Sequence, residues 1–297
     1  GVEMAWLDSR LTLNVDLFDE YRTHMLVLPN IPIFYGNTAK EVNNGIMKKH
    51  GFETELGWSD SFSNGLRYNI NAMLSFNENR IVNYEDPLAT PDYQKVAGKP
   101  FQGMTNAADV VDSGYYTSVD DIHNYISYTD DWSSLNMGSY KFLDYNSDGK
   151  INSNDLHSIE GSIYPTTLFS FGGGLSYKGW EFSVLFYGNF GKYVRYTMKE
   201  FNSNVRTYAP LTDYWTPQNQ DALTATPVNN GGAGHPSYIW AGTLYLAGRS
   251  WIKSDYISLR DLYLGYTFRS KKLKSVLGLS SLNIYVTGNN LFHITSL

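Results

Sequence analysis

Residues 67–77 read RYNINAMLSFN, so that Tyr68, Ile70, Ala72, Leu74 and Phe76 alternate with Arg67, Asn69, Asn71, Met73, Ser75 and Asn77. A period of two belongs to a strand, whose successive side chains point to opposite faces. One face of this strand suits hydrocarbon and the other suits water. The alternation recurs upstream in Leu11, Leu13, Val15 and Leu17, and again in Phe52, Leu56 and Trp58. Downstream it runs through Phe169, Phe171, Leu175 and Tyr177, then Trp180, Phe182, Val184 and Phe186, then Leu262, Leu264, Tyr266 and Phe268, then Leu282, Ile284 and Val286. Between Leu259 and Leu262 the parity slips by one residue, which predicts a bulge near Arg260 or Asp261.

These stripes predict eight strands, at about 1–8, 10–21, 51–59, 64–77, 167–177, 179–190, 251–268 and 281–293. The connections alternate between short turns and long excursions at 22–50, 78–166 and 191–250. Structureless loops beyond roughly 15 residues are uncommon in compact domains, whereas outer-membrane barrels pair short periplasmic turns with long extracellular loops. The predicted fold is therefore all-β: an antiparallel transmembrane β-barrel segment with long extracellular loops. With short turns at the periplasm, both ends of the chain fall on the extracellular side, so further strands are expected before Gly1 and after Leu297.

Composition agrees with that reading and closes off others. The 297 residues include 24 Tyr, 15 Phe and 7 Trp, only 18% are charged, and none is Cys. So many rings argue against disorder, while a mean hydropathy of -0.34 is compatible with strands that give lipid only every second residue. The absence of Cys removes disulfides, thiolate zinc sites and Cys nucleophiles. A net charge of -6 argues against a nucleic-acid partner. The opening GVEMAWLDSR has neither the basic nor the apolar region of a signal peptide, so an export signal is expected to have been removed or to lie outside this sequence.

Four segments resemble the SusC/RagA-like TonB-dependent outer-membrane transporters of the Bacteroidetes: GVEMAWLDSRLTLNVDLFDEYRTHML at 1–26 ahead of LPNIP at 28–32, KFLDYNSDGKINSNDL at 141–156, DYWTPQN at 213–219, and SDYISLRDLYLGYTF at 254–268 with LNIYVTGNNLFHIT at 282–295. The resemblance implies the C-terminal portion of a barrel of roughly 22 strands, with the plug domain, the TonB box and the last strand lying outside this sequence. It also implies location in the bacterial outer membrane, a lipid and lipopolysaccharide surround, a SusD-like surface lipoprotein partner, energy from the TonB complex through the plug, and import of glycans or oligopeptides.

Asp144, Asn146, Asp148, Gly149, Lys150 and Asp155 fall at positions 1, 3, 5, 6, 7 and 12 of an EF-hand-type loop spanning 144–155. Hard oxygens at that spacing suit calcium: side chains at 1, 3, 5 and 12 and the carbonyl of Lys150. Asp155 departs from the pattern, which has the longer Glu there. The expected role is a structural calcium clamp, with Ile151 as an apolar anchor; a polar turn with solvated carboxylates is the bland alternative. Trp132, Tyr214, Trp215 and Trp240 lie in the long loops and are candidate substrate contacts, since exposed rings serve as platforms for sugars, peptides or a partner protein; structural packing within the loops is the alternative of at least equal weight. Trp6, Trp58, Tyr177, Trp180 and Phe268 cluster near the short turns, where an interfacial girdle belongs.

No catalytic constellation stands out. The six His are scattered, and Gly172, Gly173 and Gly174 lie in a strand pattern that suits bending or lumenal room rather than phosphate binding. Acid pairs such as Glu53 with Glu55 are expected on a polar lumenal face. The rival to an importer is a secreted, calcium-stabilised β-rich carbohydrate-binding protein or adhesin, which requires the apolar faces to pack sheet on sheet.

Overall fold

The computed structural model describes residues 1–31, 39–101, 108–110, 112–126, 135–158, 161–195, 215–222, 227–228, 235–236 and 251–296. The chain divides into two compact units, one of residues 1–85, 162–193 and 253–297, the other of residues 86–161 and 194–252.

The first unit is an eight-stranded antiparallel sheet. Its strands are β1 (Val2–Trp6), β2 (Leu11–Val27), β3 (Val42–Ser61), β4 (Arg67–Asn83), β5 (Thr167–Tyr177), β6 (Trp180–Phe190), β7 (Tyr256–Phe268) and β8 (Leu282–Thr295), each paired with its neighbour in chain order. Cross-strand partners share a face, so the register can be read as rows. One row runs Trp6, Leu11, Trp58, Ile70, Gly173, Val184, Leu262 and Gly288. Another runs Leu56, Ala72, Phe171 and Phe186, then crosses to Leu259 and Phe292. Every apolar stripe of the sequence therefore falls on one face of one sheet. The opposite face carries Asn14, Glu55, Asn69, Asn71, Ser170, Gly172, Gly174, Glu181, Ser183, Tyr263 and Asn289.

Among the described residues, nothing of comparable size packs against the apolar face. Leu17 is 76% exposed, Val286 72% and Phe171 48%, and the other sheets among the described residues have two strands each. A sandwich buries such a face against a second sheet, so the sandwich demanded by the secreted-protein rival is not what the described residues build. No helix among the described residues is long and apolar enough to cross a membrane; crossing here would be the work of strands.

The bulge lies where the parity slip put it. Against β6 the register moves from Asp261 to Leu259 and leaves Arg260 as the extra residue, and against β8 it shifts between the same two residues. The extra residue keeps Ile257 and Leu259 on the same face as Leu262 and Leu264. The turn between β5 and β6 is Lys178–Gly179, both at positive φ of 48° and 93°, the geometry of a two-residue hairpin loop whose twist matches its strands.

Strand ends depart from the sequence reading. The excursion expected at 22–50 shrinks because β2 continues to Val27 and β3 begins at Val42; β4 continues to Asn83, into the segment read as the 78–166 loop. The strand expected at 251–268 is divided into Trp251–Lys253 and β7. The apolar face explains the missed extensions. Above Leu17, Phe52 and Phe76 it changes to Asp19, Lys48, His50, Glu78 and Arg80, with Lys48 paired to Asp19 at 3.2 Å and Arg80 to Glu78 at 2.6 Å. The hydrogen-bonded ladder continues while the apolar signal stops. On β4 that signal spans Tyr68 to Phe76, close to the about 9–11 residues of a tilted transmembrane strand.

The second unit has small cores of its own. Tyr115, Trp215 and Ala222 form one, Phe142 with Ile151 another, and Tyr116, Ile122 and Leu135 a third. A short helix, Val119–Asn124, starts at Ser118, whose side chain accepts a hydrogen bond from the amide of Asp121.

Candidate functional site

The polar face of the sheet is its hollowed side. Two hollows of about 810 and 590 Å³ are lined by residues that include Asn14, Glu55, Asn69, Asn71, Gly172, Gly174, Glu181 and Tyr263. The glycines make that room. A Cβ at Gly174 would lie 2.6 Å from Oδ1 of Asn69, and one at Gly172 would lie 3.1 Å from the carbonyl oxygen of Val184. The close approach of Asn69 therefore requires a bare backbone opposite it. Tyr263 stacks on Tyr285 with centroids 5.6 Å apart.

Charged groups of this face include Asp16, Glu53 and Glu55 on β2 and β3 and a pair at the bulge. Arg260 holds its guanidinium 5.3 Å from the centroid of Tyr187 and places Nε 3.6 Å from Oδ2 of Asp261. Asp261 accepts a hydrogen bond from Nδ2 of Asn289 at 2.7 Å. The parity slip is visible in the sequence; that it orders a charged pair on the polar face is not, because the slip alone leaves the direction of Arg260 undefined.

Rings mark the opposite boundary. Trp6, Trp58, Tyr177, Trp180 and Phe268 all lie on the apolar face at its short-turn end. Nε1 of Trp58 donates to the Tyr68 hydroxyl at 3.0 Å, and Trp180 packs on Tyr266 at 4.8 Å. A band of aliphatics ending in amphipathic rings is what a membrane interface selects.

Loop 144–155 folds as a closed, hydrogen-bonded turn. Asp144 accepts from the amides of Asp148 at 3.1 Å and Gly149 at 2.8 Å, while Asn146 accepts from Asp148 at 3.0 Å. Asp148 accepts from the amide of Lys150 at 2.9 Å. Asp155 is fully buried and receives the amides of Tyr145 at 2.9 Å and Asn152 at 2.7 Å. Gly149 takes a φ of 80°, and Ile151 is buried against Phe142 as the apolar anchor. The donor set is hard oxygen throughout, which is calcium chemistry. Yet among the described residues no three Asp, Glu or His side chains gather around one point, because these oxygens face the loop's own amides. The loop is clasped from outside: Tyr93 donates its hydroxyl to the carbonyl of Asn154 at 2.6 Å, and Gln94 donates to the carbonyls of Asn154 and Leu156. Burial pushes the Tyr93 hydroxyl above its usual range, and the carboxylates of Asp155 and Asp148 add to that.

Of the candidate platforms, Trp132, Tyr214 and Trp240 lie outside the described residues. Trp215 is described, and it is 3% exposed, packed with Tyr115 and Ala222. The structure thus corrects the reading of Trp215 as an exposed platform: the Tyr115 hydroxyl reaches the carbonyl of Ala222 at 2.6 Å and fixes the pocket that receives the indole. A partly exposed ring group that the sequence reading passed over is Tyr93, Tyr145 and His157, with Tyr145 4.7 Å from each of the others.

A sheet with one apolar, girdled face and one hollowed polar face is the wall of a transmembrane β-barrel. Known proteins agree. The chain is 26% identical over 311 residues to the TonB-dependent receptor P26 of Formosa agariphila, covering 98% of this chain and 29% of that protein. It is 24% identical over 341 residues to the TonB-dependent receptor P39 of the same organism, covering 31% of it. Among solved structures, the RagAB peptide transporter matches with a TM-score of 0.63 at 14% identity, over 98% of this chain and 30% of that one. The RagAB peptide importer in its 'open-open' state matches with a TM-score of 0.61 at 16% identity, again over 30% of that chain. No family model matches the chain. The chain is thus similar in sequence to TonB-dependent receptors and in fold to the RagAB transporter, and it spans under a third of the length of each.

Proposed function

We propose that this chain supplies barrel wall, lumenal lining and extracellular loops to an outer-membrane, TonB-dependent importer of oligopeptides or glycans that works with a SusD-like surface lipoprotein. The observation that carries the reading is the single register that puts all the aliphatic stripes on one exposed face and amides, acids and glycines on the other. Oligopeptide is the favoured cargo because the RagAB structures that share the fold are described as a peptide transporter and importer. Energy comes from TonB acting on a plug, and no step of bond chemistry is assigned to the residues of this chain. Deleting the gene in its native host should abolish growth on a defined peptide mixture or on one polymeric glycan as sole source; unchanged growth on every such source would overturn the importer reading.

Within the same reading, loop 144–155 holds calcium as a structural clamp, with Asp144, Asn146, Asp148, the carbonyl of Lys150 and Asp155 as ligands. Its EF-hand spacing and anchored Ile151 support this. Calorimetric titration of the purified full-length transporter should show heat on adding calcium that Asp148→Asn removes. No heat in either protein would sink the clamp.

A further inference from the structure

We infer that Arg260, turned onto the lumenal wall by the β7 bulge, is a specificity-determining residue that takes a carboxylate of the cargo; this rests on the importer reading. The bulge leaves Arg260 as the extra residue between Leu259 and Asp261, and the Tyr187 ring beneath its guanidinium belongs to the row of Ser170 and Ser258 on the polar face. Without the extra residue, Leu262 outward would put Arg260 outward too, into lipid. The guanidinium is held from two sides. Tyr187 supports its plane at 5.3 Å, and Asp261, itself fixed by Asn289, meets it through Nε at 3.6 Å. The contact through Nε leaves the Nη1 and Nη2 edge without a hydrogen-bond partner among the described residues, and the side chain is 57% exposed. A guanidinium held with one edge free is built for two parallel hydrogen bonds to a carboxylate.

The surroundings are polar beyond what packing requires. On the same wall, Tyr187 meets Tyr256 edge-on at 5.5 Å. Asn189 Oδ1, across from Tyr256, and Ser258 Oγ, across from Tyr187, are buried without a hydrogen-bond partner. The chemistry recognised is a carboxylate, whether from a peptide terminus or an acidic sugar.

The test uses the full-length transporter with its lipoprotein in cells. Uptake would be measured for a fluorescent alanine–glycine oligopeptide and its C-terminally amidated twin, and for an oligogalacturonate and its methyl ester. Arg260→Gln should raise the half-saturating concentration of a free-acid probe at least about tenfold, as loss of charge-assisted hydrogen bonds implies, and leave its neutral twin unchanged. That unchanged uptake also reports a folded barrel. Arg260→Lys should recover part of the loss, since charge returns without the fork. Which pair responds identifies the source of the carboxylate. Wild-type uptake with an equal effect of Arg260→Gln on acid and neutral twins, or no effect on either, overturns the inference, whereas wild-type failure to take up any probe counts against the importer reading itself.

Discussion

Gly174 shows what a missing side chain does in this wall. Its virtual Cβ would stand 2.6 Å from the Asn69 amide oxygen, so Gly174→Val must displace Asn69 from its hollow. The expected cost is about 1–3 kcal/mol, read as a lower urea midpoint for the purified transporter in detergent; an unchanged midpoint would mean that Asn69 moves freely. A second residue-scale prediction concerns Asp121. Burial alone would raise its carboxyl, but the hydrogen bond from Lys141, with help from the Thr117 amide, holds it below the ordinary carboxylate range. A depressed acid stabilises the fold above its unfolded value and loses that contribution as pH falls through the folded one. The protection of amides in the helix Val119–Asn124, relative to their unfolded exchange rates at each pH, should therefore hold from neutrality down to roughly pH 4 and fall below. Asp121→Asn should make exchange at neutral pH faster by an amount corresponding to about 1 kcal/mol. Protection that does not fall at acid pH in the wild type would contradict the pairing.

Strands carry the sharpest asymmetry, because adjacent residues of β4 face different solvents. Leu74→Arg places a guanidinium in hydrocarbon near mid-height, at an expected cost of about 2–4 kcal/mol. Asn71→Arg, on the lumenal face, should cost little. Yield of heat-modifiable, folded protein in outer-membrane fractions distinguishes them, and equal yields would contradict the assignment of faces. These same alternations made the strands legible in the sequence, down to the bulge at Arg260. Their extensions at 22–27, 42–50 and 78–83 were not legible, for a physical reason: Lys48, His50, Glu78 and Arg80 stand above the apolar band, where both faces meet water and periodicity in hydrophobicity has no cause to persist. Trp215 was misread for a related reason. A ring in a loop looks the same in sequence whether it faces solvent or, as here, fills a pocket closed by Tyr115 and Ala222.

At the scale of the whole molecule, the chain depends on surroundings that it does not itself provide. Among the described residues its apolar face has no facing sheet, and β1 and β8 are the outermost strands of the sheet, whose exposed edges invite pairing. Expressed alone, residues 1–297 should aggregate from aqueous buffer and partition with detergent; a soluble monomer would contradict the membrane assignment. The register described above has a further consequence for how such a molecule can change. Removing one residue from β4 would turn Tyr68, Ile70 and their neighbours inward and send Asn69 and Asn71 outward, since one step exchanges every face. Length is thus frozen within the wall, while insertions or deletions between Asn83 and Thr167 leave the rows of the eight-stranded sheet unchanged and are limited instead by the cores around Tyr116, Phe142 and Ile151. Descent with insertions and deletions can remodel the connections between these strands, and the wall itself only by substitution.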